Sequence, residues 1–338
     1  MTPARLDTVR LQRLVRAYRE SATLIAAIEI GLFTAIAKGA NTLQKLTTTL
    51  DVTSINAERI VDACVALDLL IREEDTDTLR NAPDVERFLV EGTEHYAAAW
   101  MLFTRPDWDE WNRLGTHLRD KRPPVVLGGY ADAFDVAAAR KYHEATYSVG
   151  LGSGRRFARQ VDLRTRKHVL DLGGGSGAYC IALANAYPHL TATVFDLPPV
   201  VAVAREFIEE HALSERIKTC AGDFTQDSLP TGADVIIMAS NLPQYSASNI
   251  QRVVKKASDA IAPGGEFHLI GEMLVPDRNG PTDPALWALA EALVRSEGRA
   301  HSIEECMNYL SVAGFENVRH SEFIPGILTR VVGTKPTQ

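Results

Sequence analysis

KHVLDLGGGSGAYCIALANAYPHL, residues 167–190, is a short apolar run, a glycine cluster and then apolar residues at helical spacing. It reads as strand, glycine loop, helix. TATVFDLPPVVAVAREFIEEHAL (191–213) reads as strand, turn, helix. IKTCAGDF (217–224), ADVIIMAS (233–240) and GGEFHLIGEMLV (264–275) are further strands, with NIQRVVKKASDAIAPGG (249–265) a helix between the last two. Strands alternating with helices predict a parallel sheet wrapped on both faces, with ligands at the carboxyl ends of the strands. Residues 161–338 are therefore expected to form a Rossmann-like α/β domain.

Upstream the pattern is helical. LIAAIEIGLFTAIAKGA (24–40) has helical apolar spacing and ends at Gly39. TLQKLTTTLDVTSINAERIVDACVALDLLI (42–71) reads as two short helices, the second capped by Thr53 or Ser54, with Glu58 placed for a capping box. LIREEDTDTLRNA (70–82) follows as two extended pieces around a turn, so residues 1–100 read as a winged helix. Between Asp51 and Arg80, however, three arginines face eight acids, a balance of −5 where DNA phosphates would require cations. Dimerisation or covering a substrate suits this all-α/winged-helix module better. Residues 101–160 read as connecting helices, with RPPVVLGGY (122–130) a loop and the helix after it ending near Val149. Trp100, Phe103, Trp108 and Trp111 fit either core packing or a substrate wall.

At 338 residues the chain is long enough for two domains, and its 46% apolar and 23% charged content is that of a soluble globular protein. It contains no apolar run long enough to span a membrane. MTPARLDTVRLQRLVRAYRE (1–20) is too polar for a signal peptide and reads as an amphipathic helix, so a cytoplasmic protein is expected. Cys64, Cys180, Cys220 and Cys306 are far apart and lack zinc spacing, so neither disulfide nor metal is expected. The net charge of −7 argues against a nucleic-acid partner.

In DLGGGSGA (171–178), Gly173, Gly175 and Ala178 match G-x-G-x-x-[GA], a weak signal alone. Three further observations favour S-adenosylmethionine over NAD. Asp171, two residues before the glycines, suits a ligand ammonium and disfavours a pyrophosphate. The unit begins in mid-chain behind a helical domain. Asp223 and Phe224 close the third strand, where they offer an acceptor and an apolar face to an adenine. Asp196, closing the second strand, suits ribose hydroxyls. Each acid alone also fits a helix cap or turn; their common register favours a ligand. The expected cofactor set is Asp171, Gly173, Gly174, Gly175, Gly177, Asp196, Leu197, Asp223 and Phe224.

With AIEIGLFTAI (27–36), VLDLGGGSG (169–177), FDLPPVV (195–201), GDF (222–224), APGGEFHLIGEMLV (262–275) and HSIEECMNYLSVAGFENV (301–318), nearly the whole chain resembles class I S-adenosylmethionine-dependent methyltransferases of the caffeate and hydroxyindole O-methyltransferase type. The resemblance implies a homodimer and a small-molecule acceptor. It also implies a His-Asp-Trp triplet whose histidine takes the acceptor proton. Here Pro243, Gln244 and Tyr245 stand in its place. The first supporting glutamate of the family matches Glu272, and the second falls on Ala300. No residue is therefore expected to act as general base, which suits an acceptor with a free lone pair and no proton to lose: a thioether, a tertiary amine or a carboxylate. Among members without the base, the chain is similar to the bacterial S-methyltransferases of dimethylsulfoniopropionate biosynthesis (DsyB type), which implies 4-methylthio-2-hydroxybutyrate as acceptor.

The expected acceptor residues are Tyr142 and Tyr147 on one helix, Gln244 and Tyr245 in the base-less turn, and Trp287, Glu291 and Arg295. Aromatic faces would stabilise a sulfonium product. The last three, spaced i, i+4, i+8, would share a helix face. Arg295 would bind a substrate carboxylate, or else pair with Glu291 on the surface. His143, His301 and Arg299 are further candidates, and His143 or Glu272 would serve as base in an O- or C-methyltransferase.

Overall fold

The structure is a computed structural model that describes residues 6–74, 76–125 and 135–337. The loop expected in 122–130 lies, from residue 126 on, outside the described residues. The chain divides into two compact units, one up to residue 106 and one from residue 107.

The first unit contains α1 (Val9–Arg16), α2 (Tyr18–Glu29), α3 (Leu32–Ala37), α4 (Leu43–Thr49), α5 (Ser54–Ala66), β1 (Leu70–Arg72), β2 (Leu79–Asn81), α6 (Pro83–Phe88) and α7 (Ala98–Phe103). The single helix expected over 24–40 is broken: Gly31 sits at φ +73, the left-handed region that glycine enters without a Cβ penalty. That turn lets α2 and α3 both face one core, built on Ala27, Leu32, Phe33, Leu46, Val61, Cys64 and Leu70. Thr53 caps α5, its hydroxyl accepting from the Asn56 N–H at 3.3 Å. Asn56 thus holds the third helical position, and Glu58 lies beyond the reach of a capping box. That motif forms instead between Ser302 and Glu305. β1 and β2 pair antiparallel as the expected wing. In α1 no residue is buried, and Val9, Leu11, Leu14 and Val15 are all exposed.

The second unit opens with α8 (Trp108–Asn112), α9 (Leu114–His117) and α10 (Val136–Gln160). It continues with β3 (His168–Leu172), α11 (Ala178–Ala186), β4 (Thr191–Asp196), α12 (Pro198–Glu210), β5 (Ile217–Ala221), β6 (Val235–Ala239), α13 (Ala247–Ala260) and β7 (Glu266–Gly271). It closes with β8 (Met273–Leu274), α14 (Thr282–Ala290), β9 (His301–Ser302), α15 (Ile303–Val312), β10 (Glu316–Ile324) and β11 (Leu328–Thr334). The main sheet has the order β10-β11-β7-β6-β3-β4-β5. β7 through β5 are parallel, as the alternation predicts. β10 and β11 add an antiparallel hairpin that makes the sheet mixed. Successive strand residues point to opposite faces, so Leu170 and Leu172 pack with Ile250, Val253 and Leu310. Val169, Val194 and Ile237 pack on the other face with Phe157 and Ile181.

α10 runs to Gln160, eleven residues past its expected end. Glycines ordinarily weaken a helix, but here they serve helix packing. A Cβ on Gly154 would lie 2.8 Å from Ala182 Cβ and 2.9 Å from Tyr179 Cα, so only glycine lets α10 seat on α11. α14 ends earlier than expected, at Ala290, and Arg295 adopts φ +55. Trp287, Glu291 and Arg295 therefore do not share one helix face.

Candidate active site

β3, β4, β5 and β6 end together at the carboxyl edge of the sheet, and each delivers residues there. After β3 the chain turns through Gly173, Gly174 and Gly175 into α11. A Cβ on Gly173 would meet Asn241 Nδ2 at 2.5 Å and Phe224 Cε1 at 3.0 Å. One on Gly175 would meet His143 Cε1 at 2.7 Å. The loop is thus ringed by three side chains that only glycine allows so close, while Gly177, at φ +77, starts the helix.

Asp171 is 2% exposed and lies beneath the loop. A Cβ on Gly174 would fall 2.8 Å from its carboxyl carbon, and the Cys180 thiol donates to its Oδ2 at 3.7 Å. Burial pushes its carboxyl up to about 7. The carboxyl group expected to meet a ligand ammonium is thus buried close to Gly174 and Cys180, on the face of β3 that it shares with Val169.

Asp196 accepts from the Gly175 N–H at 2.8 Å and the Leu197 N–H at 2.7 Å, which ties the end of β4 to the glycine loop. Burial pushes its carboxyl up to about 6. Leu197 caps α12 and packs against Ala139, Val200 and Val203. Phe224 is buried and meets Tyr245 edge-on at 5.4 Å between centroids. Lys256 donates to the Phe224 carbonyl at 2.8 Å. Asp223 Oδ1 accepts from the Thr225 N–H and hydroxyl at 2.7 and 2.6 Å, and Oδ2 from Gln226 at 3.1 Å. Its carboxylate therefore organises its own turn, the simpler alternative for an acid at a strand end.

The base-less turn after β6 is a short 3-10 segment, Leu242–Gln244. Pro243 is buried, and its carbonyl packs so closely on Gly298 that a Cβ there would collide with it. Tyr245 is held from behind. His301 Nε2 is 2.9 Å from the Tyr245 carbonyl oxygen and its Nδ1 is 3.1 Å from the Tyr309 hydroxyl. His301 is therefore a brace with both nitrogens engaged. His143 is buried, edge-on to Tyr142 at 5.1 Å, and burial pushes its imidazole down to about 4, so it is neutral near pH 7.

Sequence spacing does not bring every expected acceptor residue together. Tyr147 stacks on Phe207 at 4.5 Å, with its hydroxyl 2.9 Å from His211 Nε2. It belongs to the packing of α10 on α12. Glu291 Oε2 accepts from the Ser296 hydroxyl, and burial raises its carboxyl. The Arg295 carbonyl accepts from the Val125 N–H at 2.8 Å, and its guanidinium joins Arg122 in lowering the Asp120 carboxyl. The Trp287 indole N–H is buried without a partner among the described residues.

Two groups stand out at the strand ends: Asn241, outside the expected sets, and Glu272, which matches the family's supporting glutamate. In the register of β6 with β7, Ala239 pairs with Ile270. Two residues on lie Asn241 and Glu272, and Asn241 Oδ1 and Glu272 Oε2 are both buried without a partner among the described residues. Burial pushes the Glu272 carboxyl up to about 7, and Asp283 adds to the rise. Their common feature is position, each two residues past the Ala239–Ile270 pair. Among the described residues no group of three or more His, Cys, Asp or Glu could hold a metal ion.

Three features fit an adenosyl amino acid. Backbone can approach a ligand at the glycine loop, a half-buried carboxylate closes β4 at ribose height, and an aromatic edge closes β5. The helix start behind the loop adds backbone donors suited to a carboxylate.

Comparison with known proteins agrees. An O-methyltransferase domain matches residues 112–316, and an O-methyltransferase dimerisation domain matches residues 12–89. The chain is 33% identical to the 3-hydroxy-5-methyl-1-naphthoate 3-O-methyltransferase of Streptomyces sahachiroi over 93% of this chain and 91% of that one. It is 30% identical to the N,N-dimethyltransferase OxyT of Streptomyces rimosus over 96% of both. The human N-acetylserotonin methyltransferase in complex with SAM superimposes with a TM-score of 0.82 at 25% identity, covering 100% of both chains. No helix among the described residues is long and apolar enough to cross a membrane. The chain therefore belongs to the O-methyltransferase family, as an S-adenosylmethionine-dependent methyltransferase with a Rossmann-like catalytic domain and an N-terminal helical dimerisation domain.

Proposed function

We propose that this enzyme methylates a small anionic thioether by positioning alone, with no protein base, and works as a homodimer. One observation carries the reading: the turn that faces the acceptor in this family is Pro243-Gln244-Tyr245 here, none of which can take a proton near neutral pH. The cofactor supplies an electrophilic methyl on a sulfonium sulfur. The lone pair of a thioether forms the new C–S bond as the old one breaks, so positive charge moves between sulfurs and no proton moves. The chain's task is to align, to exclude water and to accommodate a cation. Tyr245, fixed by His301, and Tyr142 offer aromatic faces for that charge. Arg295 is the proposed partner of the acceptor carboxylate, with Glu291 in the same turns, Trp287 on α14 and Gln244 lining the 3-10 turn as further proposed contacts. Asp196 and Leu197, Asp223 and Phe224, and Gly173, Gly174, Gly175 and Gly177 are the proposed cofactor contacts, with Asp171 supporting from below.

The finer reading, S-methylation of 4-methylthio-2-hydroxybutyrate in dimethylsulfoniopropionate biosynthesis, rests on the sequence resemblance and the missing base. The relatives named above are O- and N-methyltransferases. They favour a second reading in which a hydroxyl acceptor is deprotonated by Glu272, whose buried Oε2 lacks a partner among the described residues and whose carboxyl burial pushes up to about 7.

The two readings separate in one experiment. Purified enzyme and S-adenosylmethionine are given a carboxylated thioether, a phenol and an amine, and kcat is followed against pH for wild type and Pro243→His. The first reading expects turnover of the thioether, a flat profile and no gain from the histidine. Methylation of the phenol alone, with a rate rising through one protein pKa near 7 that Glu272→Gln abolishes, would establish the second.

A further inference from the structure

We propose that the side-chain oxygen of Asn241 accepts a hydrogen bond from the α-ammonium of S-adenosylmethionine, so that Asn241 holds the cofactor at its seam with the acceptor. This rests on the cofactor assignment and not on the identity of the acceptor.

The strand order supplies the placement. Along the carboxyl edge, β6, β3, β4 and β5 are consecutive neighbours. Phe224 follows β5, Asp196 closes β4 and the glycine loop follows β3. An extended adenosyl amino acid laid along that edge puts adenine past β5, ribose at β4 and its amino acid end at β3. The next position is the end of β6, where Asn241 stands. Ser240, just before it, adopts φ +60, a conformation rare for a residue with a side chain and one that redirects the chain at the strand end.

The orientation of the amide follows from its neighbour. Nδ2 lies 3.5 Å from the Leu172 carbonyl oxygen, which can only accept, so the NH2 group must face it. Oδ1 then points away, buried and without a partner among the described residues. A buried amide oxygen without a donor is costly, and a ligand N–H removes the cost. Of the carboxylates nearby, Asp171 is 2% exposed and already receives the Cys180 thiol, and Asp196 is engaged by the Gly175 and Leu197 N–H groups. Asn241 borders Gly173, so its open oxygen is the proposed acceptor for an ammonium held at that point of the loop. Gly173 is itself required for this contact, since a Cβ there would stand 2.5 Å from Nδ2.

The test is a ligand–mutant cycle by calorimetry. S-adenosylhomocysteine and its analogue with hydrogen in place of the α-amine are titrated into wild type, Asn241→Leu, Asn241→Asp and Phe224→Ala. Binding of S-adenosylhomocysteine by wild type checks the cofactor assignment separately. Asn241→Leu is expected to weaken S-adenosylhomocysteine by about 10- to 100-fold and to change the analogue by less than about threefold. Phe224→Ala should weaken both ligands alike. Asn241→Asp keeps an oxygen in place and should prefer the amine-bearing ligand at least as strongly as wild type does. Equal weakening of both ligands by Asn241→Leu, or weakening of neither, overturns the proposal. If the leucine variant does not fold, loss of ligand preference in Asn241→Asp overturns it instead.

Discussion

Replacing Gly173 by alanine adds one methyl group at the most constrained point of the cofactor loop. Two costs follow. At φ +67 an L-residue sits in the left-handed region, a penalty of roughly 1–2 kcal/mol. The new Cβ would also lie 2.5 Å from Asn241 Nδ2 and 3.0 Å from Phe224 Cε1. Phe224 is buried against the core and has little room to yield, so the amide withdraws and gives up its bond to the Leu172 carbonyl, about 0.5–1.5 kcal/mol. Together the loop's binding geometry becomes about 1.5–3.5 kcal/mol harder to reach. If this falls on cofactor binding, the Kd for S-adenosylhomocysteine rises roughly 10- to 300-fold. The measurement is calorimetric titration beside a melting curve. The loop is a local feature, so the melting temperature should move far less than the affinity suggests. A Gly173→Ala enzyme that binds within twofold of wild type would refute the reasoning, since it would mean that the loop does not meet the ligand in this geometry.

Other expected outcomes follow from the same kind of contact. Gly152→Ala and Gly154→Ala sit in one helix, but a Cβ meets nothing within 4 Å at Gly152 and meets Ala182 and Tyr179 at Gly154. The first should raise the melting temperature, with about 0.5–1 kcal/mol of helix propensity gained, and the second should lower it, with about 1–3 kcal/mol of overpacking; reversal of that order counts against the packing described. Burial holds the Glu272 carboxyl near 7 in the folded enzyme against 4.5 as its ordinary value. The folded state thus binds the proton more tightly, and stability falls as pH rises from about 4.5 to 7, by on the order of 3 kcal/mol from this group. Melting curves across that window should show a smaller fall for Glu272→Gln, and an unchanged one removes the assignment. Leu14→Glu, on the fully exposed α1, should leave the monomer's melting nearly unchanged but weaken self-association in light scattering; an unaltered dimer would move the interface elsewhere.

Much of the catalytic unit was legible because parallel strands announce themselves. VLDL, ATVF and VIIMA are continuous apolar runs since both faces of the sheet are covered, and each is followed by the residues that reach the edge. The hairpin Glu316–Thr334 was less legible, since β10 is an edge strand with half its residues exposed and no clean alternation. α10 outran its expected end because glycine weakens a helix on average, whereas Gly150 and Gly154 earn their place through contact with α11. The error at Trp287, Glu291 and Arg295 came from a helical period that continues in sequence after the helix has stopped at Ala290; the left-handed Arg295 lies beyond that break. Spacing fixes the position of Asp171 beside the glycines but not the depth of its burial. Asn241 carries no motif, and Glu272 matches a family glutamate without showing in the sequence what it faces. Their unpaired oxygens become visible only when the register of β6 and β7 is known.

The pairing of Asp196 with the Gly175 N–H has a consequence for how such an enzyme can change over time. The proposed cofactor seat is fastened by a backbone N–H to carboxylate bond between strand ends, so it depends on the frame and tolerates little drift. Several residues proposed for the acceptor sit instead on turns: Gln244 on a 3-10 segment, and Glu291 and Arg295 between α14 and β9, anchored by local contacts such as Ser296 to Glu291. Substitutions in those turns leave the strand ends untouched. A lineage built this way can exchange one nucleophile for another, even discarding a proton acceptor, while the methyl donor and its seat are inherited unchanged.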